Sequence, residues 1–292
     1  MKYKTVPEDF PRKHSGIRIF PDFRYLYGKR TRSRLRMTEG LPVTPLVPVR
    51  KMPSDKSEMV TQVLFGQKIF ILENLNSWAR IHIADDGQEG WADRKMIRSF
   101  DMAPDLTYPY ILPWFLPVKQ HSGATEYRLP PGSIIYRPNR ENRSFQCGDR
   151  LYHWEGNLPG SEEKNRAISV CSVARRLTGS PYLWGGKSPY GIDCSGLVQL
   201  IFSIHGVFLP RDAKDQAETG STVSFIQEAC AGDLAFLGPP EGQITHVGII
   251  TGKGTIIHAS GMVREDKLDQ EGIYDAENRK YSHFLRLIKR IL

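Results

Sequence analysis

The stretch Tyr182-Leu-Trp-Gly-Gly-Lys-Ser-Pro-Tyr-Gly-Ile-Asp193-Cys194-Ser195-Gly196 decides how the chain is read. Its glycines and Pro189 hold a loop open, and an apolar run follows at Leu197, Val198, Leu200, Ile201 and Ile204 before Gly206. Aspartate ahead of such a run is a helix start signal, and glycine behind it is a stop signal. The spacing predicts a short helix with Asp193 as cap and Cys194 in the first turn. Unpaired backbone N–H groups and the positive end of the helix dipole favour a thiolate there. Most cysteines are small buried hydrophobes. One that follows a glycine-rich loop and opens a helix is a candidate nucleophile.

Three β runs lie downstream: Asp233-Leu-Ala-Phe-Leu, Ile244-Thr-His-Val-Gly-Ile-Ile and Thr255-Ile-Ile-His-Ala. Helix first and strand meander after predicts an α+β domain with an antiparallel sheet. His246 and His258 fall on consecutive strands joined by a tight turn, so they can share one sheet face. A thiol nucleophile needs an imidazole to take its proton and pass it to the leaving amine, and that imidazole needs a third polar group to fix its ring. Cys194, His246 and His258 can fill those roles. Either histidine alone reads more simply as a half-buried strand residue; the pair, downstream of a capped cysteine, points to chemistry. A zinc site from the same three side chains lacks paired-ligand spacing, so neither metal nor cofactor is expected.

Upstream, a helix is expected from Ser161, with Glu162 and Glu163 in its first turn and one apolar face at Ala167, Val170, Cys171, Val173, Ala174 and Leu177. Cys171 on that face reads as inert; Cys147 and Cys230 have no partner at ligand spacing. Between Glu58 and Arg98 the pattern changes to short alternating runs with turns at Asn74-Leu-Asn-Ser and Asp85-Asp-Gly-Gln-Glu-Gly, which predicts a small β-barrel with Trp78 and Trp91 in its core. Residues 101–158 carry a weaker β pattern, a second barrel or an extension of the first. Residues 41–57, rich in Pro and Val, read as extended or linker structure. The expected division is a basic arm and linker over 1–57, a barrel over 58–100, a second over 101–158 and the catalytic domain over 159–292.

Composition bounds the partners. The chain has 292 residues, 40% hydrophobic and 25% charged, the proportions of an ordinary soluble protein. It holds no apolar run of the roughly 18 residues that a membrane helix needs. The opening MKYKTVPEDFPRK lacks the apolar segment of a signal peptide, and the four cysteines form no CxxC pair. The expectation is a cytoplasmic protein with reduced thiols, the alternative an exported one whose leader has been removed. Residues 1–58 carry 14 Lys/Arg against 6 Asp/Glu, a surplus that equals the net charge of +8. The basic run Lys29–Arg36 could touch RNA or a membrane surface. With no aromatic platform module beside it, it reads as a solvated arm, and no nucleic-acid partner is expected.

Five stretches, PYLWGGKSPYGIDCSGLVQLIF, LPRDAKDQ, AGDLAFLG, ITHVGIITG and IIHAS, resemble the NlpC/P60 cysteine peptidases and occur in that family's order. SWARIHIADDGQEGWADRKMI likewise resembles the bacterial SH3-like module, whose last hairpin commonly reads D-G-x-x-G-W. The first resemblance implies a papain-like fold and hydrolysis of bacterial cell-wall peptides. It implies Cys194 as nucleophile, His246 as general base, His258 as third polar member and Tyr182 near the developing oxyanion. It also implies that Asp193 and Ser195 contact the substrate's N-terminal residue, and it places Arg211 near the site. SH3-like modules ahead of such a domain resemble the γ-D-glutamyl-L-diamino acid peptidases of murein-peptide recycling, the dipeptidyl-peptidase VI type. That implies a monomeric enzyme for murein peptides with a free N-terminal L-Ala, whose ammonium Glu89 and Asp193 are expected to hold together. The alternatives are a same-fold amidase or acyltransferase, and a non-catalytic wall-binding protein.

Overall fold

A computed structural model describes residues 38–100, 106, 109–123, 126–158, 166–252 and 254–292. The basic arm through residue 37, the helix start expected at Ser161 and the pair Thr107–Tyr108 lie outside these residues.

The first sheet runs β1 Thr38–Pro42, β2 Leu46–Arg50, β3 Met59–Leu64, β4 Ile69–Leu75, β5 Trp78–Ile83, β6 Glu89–Asp93 and β7 Ile97–Ser99, in the spatial order β3-β2-β6-β5-β4-β1-β7. Its strands alternate: Ala79, Ile81, Ile83 and Ala92 point into a core with Val47, Val49, Val63 and Ile69. That alternation corrects one expectation. Trp78 and Trp91 fall on the opposite phase from Ala79 and Ala92, so they are half-buried rather than core. Residues 41–57, read as extended or linker structure, hold the end of β1 and all of β2, with β2 paired to β3 along its length but to β6 at a single register, Arg50 with Trp91. Pro48, which has no N–H to give, is tolerated because that second ladder is almost absent.

A second antiparallel sheet follows, with β8 Pro109–Ile111, β9 Leu116–Gln120, β10 Glu126–Leu129, β11 Ile134–Asn139, β12 Ser144–Cys147 and β13 Arg150–Trp154 in the order β10-β9-β13-β12-β11-β8. Leu112, Leu116, Leu129, Phe145, Tyr152 and Trp154 form its core, joined by Leu41 and Phe65 from the first sheet.

The rest of the chain is α+β. Helix α1 (Arg166–Arg176) precedes the short strands β14 (Lys187–Ser188) and β15 (Gly191–Ile192), then α2 (Cys194–Ile204) and the single turn α3 (Ala213–Gln216). The strands β16 Ser221–Val223, β17 Leu234–Gly238, β18 His246–Gly252, β19 Thr255–Ser260, β20 Met262–Leu268, β21 Gly272–Asp275 and β22 Lys280–Arg290 form the order β16-β22-β17-β18-β19-β20-β21. A further pairing of β21 with β22 closes this sheet on itself.

Helix α2 is the pivot. Cys194 through Phe202 are all buried, because β18, β19, α1 and Leu64 of the first sheet cover it on several sides. Its end is a left-handed cap: Gly206 has φ +76°, and the N–H groups of Gly206 and Val207 close on the carbonyls of Ser203 and Phe202. Among the described residues, no helix is long and apolar enough to cross a membrane.

Candidate active site

Asp193 caps α2 from an extended backbone, its Oδ1 accepting the N–H of Gly196 at 2.7 Å. Cys194, the first helical residue, is 8% exposed. The backbone N–H groups of Ser195 and of Val247, the neighbour of His246 on β18, favour its thiolate, so the helix start faces the strand that carries the base. His246 Nε2 and His258 Nδ1 are 2.8 Å apart, with the two rings nearly perpendicular at 88°. The pairing of β18 with β19, which sets Gly252 opposite Thr255, puts Gly248 opposite His258. Glycine is required at 248: a Cβ there would lie 2.9 Å from that of His258. The structure thus pairs the two histidines and sets Val247, the neighbour of one of them, toward Cys194.

Electrostatics correct one expectation. Burial pushes the Cys194 thiol up to about 11, and Asp193 adds to the rise; the N–H groups of Val247 and Ser195, and Arg211, pull it down by less. The helix start does favour a thiolate, but desolvation outweighs it. His246 is held well below its ordinary value by burial, then by His258 and His283. The resting pair is therefore thiol and neutral imidazole, suited to a proton transfer made as the sulfur attacks. Tyr182, 37% exposed, is raised to about 12 by burial and by Cys194 and Asp193, so its hydroxyl remains a proton donor.

Asp193, Ser195 and Arg211 are also together. The Arg211 guanidinium is 4% exposed. It donates to both carboxylate oxygens of Asp193, to Ser195 Oγ at 2.8 Å and, through Nε, to Thr61 Oγ1 of β3 at 3.0 Å. Asp193 also accepts from Gly185 N, Gly196 N and Ser195 Oγ. Its charge is paired and its lone pairs are filled, so it is not the free acid that a substrate ammonium requires.

Glu89, the second acid expected at the ammonium, lies on β6, with Oε2 2.8 Å from Arg80 NH2 and Oε1 3.5 Å from His82 Nδ1. The barrel edge that meets the catalytic loop is β3. Gln62 Oε1 accepts from Lys187 N at 2.9 Å, and Met59 packs so closely that a Cβ at Gly185 would come within 2.3 Å of its carbonyl oxygen. Gly185 also has φ +78°, so glycine is required there on two grounds. Just ahead of β3, Glu58 accepts the indole N–H of Trp184 at 3.0 Å. Trp184 itself is 62% exposed and flanked by the exposed Leu183.

Two further groups escaped the sequence reading. Lys187 is buried in the interface, 3.9 Å from Asp86, which also accepts from Gln199 Nε2 of α2 at 3.0 Å; Asp85 beside it is raised to about 6, chiefly by burial. His283 on β22 stacks on His246 with ring centroids 4.2 Å apart, and Asp266 on β20 meets His258 at 2.9 Å. The period-two pattern of residues 281–287 was the signal for β22. Nothing local marked β20, whose sequence Met-Val-Arg-Glu-Asp-Lys-Leu is mostly charged. Among the described residues, no group of three or more His, Cys, Asp or Glu side chains is placed to hold a metal.

Comparison with known proteins agrees with this geometry. Residues 179–280 match the NlpC/P60 family, and residues 49–97 match the bacterial dipeptidyl-peptidase SH3 domain. The chain is 30% identical to a γ-D-glutamyl-L-lysine dipeptidyl-peptidase of Bacillus subtilis over 74% of this chain and 78% of the relative. It is 25% identical to a Bacillus cereus protein of the same name over 70% and 68%. In fold it resembles an NlpC/P60 family protein from Bacillus cereus, with a TM-score of 0.74 and 19% identity over 87% of this chain and 100% of that one.

Proposed function

The chain belongs to the NlpC/P60 family, and from that premise we propose that it is a cysteine peptidase of cell-wall peptides that cuts the bond between γ-D-glutamate and a diamino acid. The observation that carries the reading is the 2.8 Å contact between His246 and His258 beside a helix-capped cysteine. Cys194 sulfur attacks the γ-carbonyl carbon as His246 takes its proton, and the oxyanion accepts a hydrogen bond from the Tyr182 hydroxyl. Collapse expels the diamino acid's amine, protonated by His246, and leaves a thioester. Water, deprotonated by the same imidazole, then releases the γ-D-glutamyl product.

The substrate's free N-terminal ammonium is read by Glu58 together with the exposed face of Trp184. The indole N–H tied to that carboxylate fixes the ring, and an ammonium over its face gains both a cation–π contact and an opposite charge. Arg211 leaves Asp193 without a charge to offer, which supports Glu58 for the part. The four free thiols, Cys147, Cys171, Cys194 and Cys230, favour turnover of murein peptides in a reducing compartment.

Mass spectrometry of products from L-Ala-γ-D-Glu-L-Lys, with and without an acetylated N-terminus, tests the reading. The free peptide should yield L-Ala-γ-D-Glu and lysine, and the acetylated one should be cut poorly. Glu58→Gln should raise KM for the free peptide about tenfold, the low end of a charge-assisted contact worth about 1.5–3 kcal/mol, because the site is open to water. Glu89→Gln should leave KM near the parent value. Equal cutting of free and acetylated peptides sinks the amine-reading role.

A further inference from the structure

The chain of hydrogen bonds behind Cys194 continues past His258. His258 Nε2 lies 2.9 Å from Asp266 Oδ2. Arg264 reaches the same carboxylate with Nε at 2.7 Å and NH2 at 2.9 Å. Arg264 and Asp266 are two apart on β20 and so share a face, and Arg264 is the Cα partner of His258 across β19 and β20. The strand pairing therefore places a clamped carboxylate behind the second histidine.

A carboxylate only accepts hydrogen bonds. His258 Nε2 must then carry the hydrogen, and in the neutral ring Nδ1 is left as an acceptor. His246 Nε2, 2.8 Å away, must be the donor to it. The His246 hydrogen is thus committed to Nε2, which leaves the Nδ1 lone pair free for a thiol proton. We propose that Asp266 is a positioning residue that sets the tautomers of both histidines through this chain, so that His246 meets Cys194 with a basic nitrogen. The proposal rests on the general-base role given to His246 above.

Other features fit. Burial alone would raise the Asp266 carboxyl, but the His258 hydrogen bond and the Arg264 guanidinium outweigh it and hold the group below its ordinary value. It therefore stays an ionised acceptor at neutral pH. His283 faces both rings, stacked on His246 at 4.2 Å and edge-on to His258 at 6.0 Å. Its Nδ1 is engaged by Ser282 Oγ at 2.9 Å, so it confines the His246 ring plane while the hydrogen bond to His258 fixes that ring's tautomer. When His246 takes the thiol proton it becomes a cation that still donates through Nε2. The Asp266 charge, one ring away, then stabilises it.

The test reads tautomers directly. Long-range proton–nitrogen NMR of the intact, histidine-labelled chain, above the imidazole titration range and without substrate, should show both rings as Nε2–H. In Asp266→Asn the amide can offer its own N–H to His258, which reverses the chain and turns an N–H of His246 toward the sulfur. Its kcat should fall about 10- to 100-fold with KM unchanged, less than the roughly 10⁴-fold known for an acid in direct contact with the base, because one more ring intervenes. Asp266→Ala should lose a similar factor and recover part of it in added formate, a rescue that a merely structural role would not give. An Nδ1–H tautomer at His258 in the parent, or parental kcat in Asp266→Asn, overturns the proposal. The spectrum of the unaltered protein decides it even if the variants fold poorly. Failure of the peptidase reading would show separately, as absent turnover in the parent.

Discussion

Arg211→Met removes the one cation that, among the described residues, contacts Asp193 directly, while keeping most of the side-chain volume. Four hydrogen bonds leave with the guanidinium: one to Thr61, one to Ser195 and two to Asp193. Asp193, 5% exposed, keeps the N–H groups of Gly185 and Gly196 but loses its counter-charge. Breaking a buried ion pair from one side costs about 3–5 kcal/mol, because the remaining charge stays desolvated. For a unit of this size that lowers Tm by about 6–20 °C. The partner change separates charge from contact. Asp193→Asn keeps a side-chain oxygen for the helix cap, where asparagine serves about as well as aspartate, and it removes the stranded charge. The double variant Asp193→Asn/Arg211→Met should therefore be more stable than Arg211→Met alone, with a coupling of about 1–3 kcal/mol. Urea denaturation of the full chain, with all four members of the cycle, measures it. An Arg211→Met loss under about 1 kcal/mol would show that the pair is not the strut described. A double variant no more stable than the single would show that the stranded charge is not what matters.

Two other outcomes follow from the same site. Cys194→Ala should abolish hydrolysis, whereas Cys171→Ala should keep kcat near the parent value, because the Cys171 thiol is buried in the core on α1 and its sulfur donates to the carbonyl of Ile250; retained turnover in Cys194→Ala refutes the mechanism. The acid limb of kcat/KM should also lie below pH 6.5. His246 must be neutral to accept a proton, its pKa is depressed well below 6.5 by burial, His258 and His283, and activity is lost only as pH falls through that lower value. A half-maximum at pH 6.5 or above counts against His246 as the base.

The sequence by itself determined the parts whose signals are local. Asp193 before an apolar run fixed the start of α2 and Gly206 its end, because caps act on backbone groups within one turn. Alternation in β18 and β19, with the tight turn between them, put His246 and His258 on one face because strand side chains repeat every two residues. Proline left the same reading open between strand and linker at β2. A missing N–H breaks a strand only where a neighbour needs it, and whether β2 has such a neighbour is a fact of topology. Only the tertiary structure decided the rest. The Cys194 thiol is raised because the fold buries it, and burial depends on what packs from elsewhere in the chain. Asp193 is paired with Arg211, eighteen residues on, a contact with no local signal in the sequence. Glu58 meets the catalytic loop because β3 docks against it, beside the β5–β6 turn whose Asp86 reaches Lys187 and Gln199. Asp266 and His283 reach the histidines only through strand order, and a closed sheet brings together residues whose sequence distance carries no signal of contact.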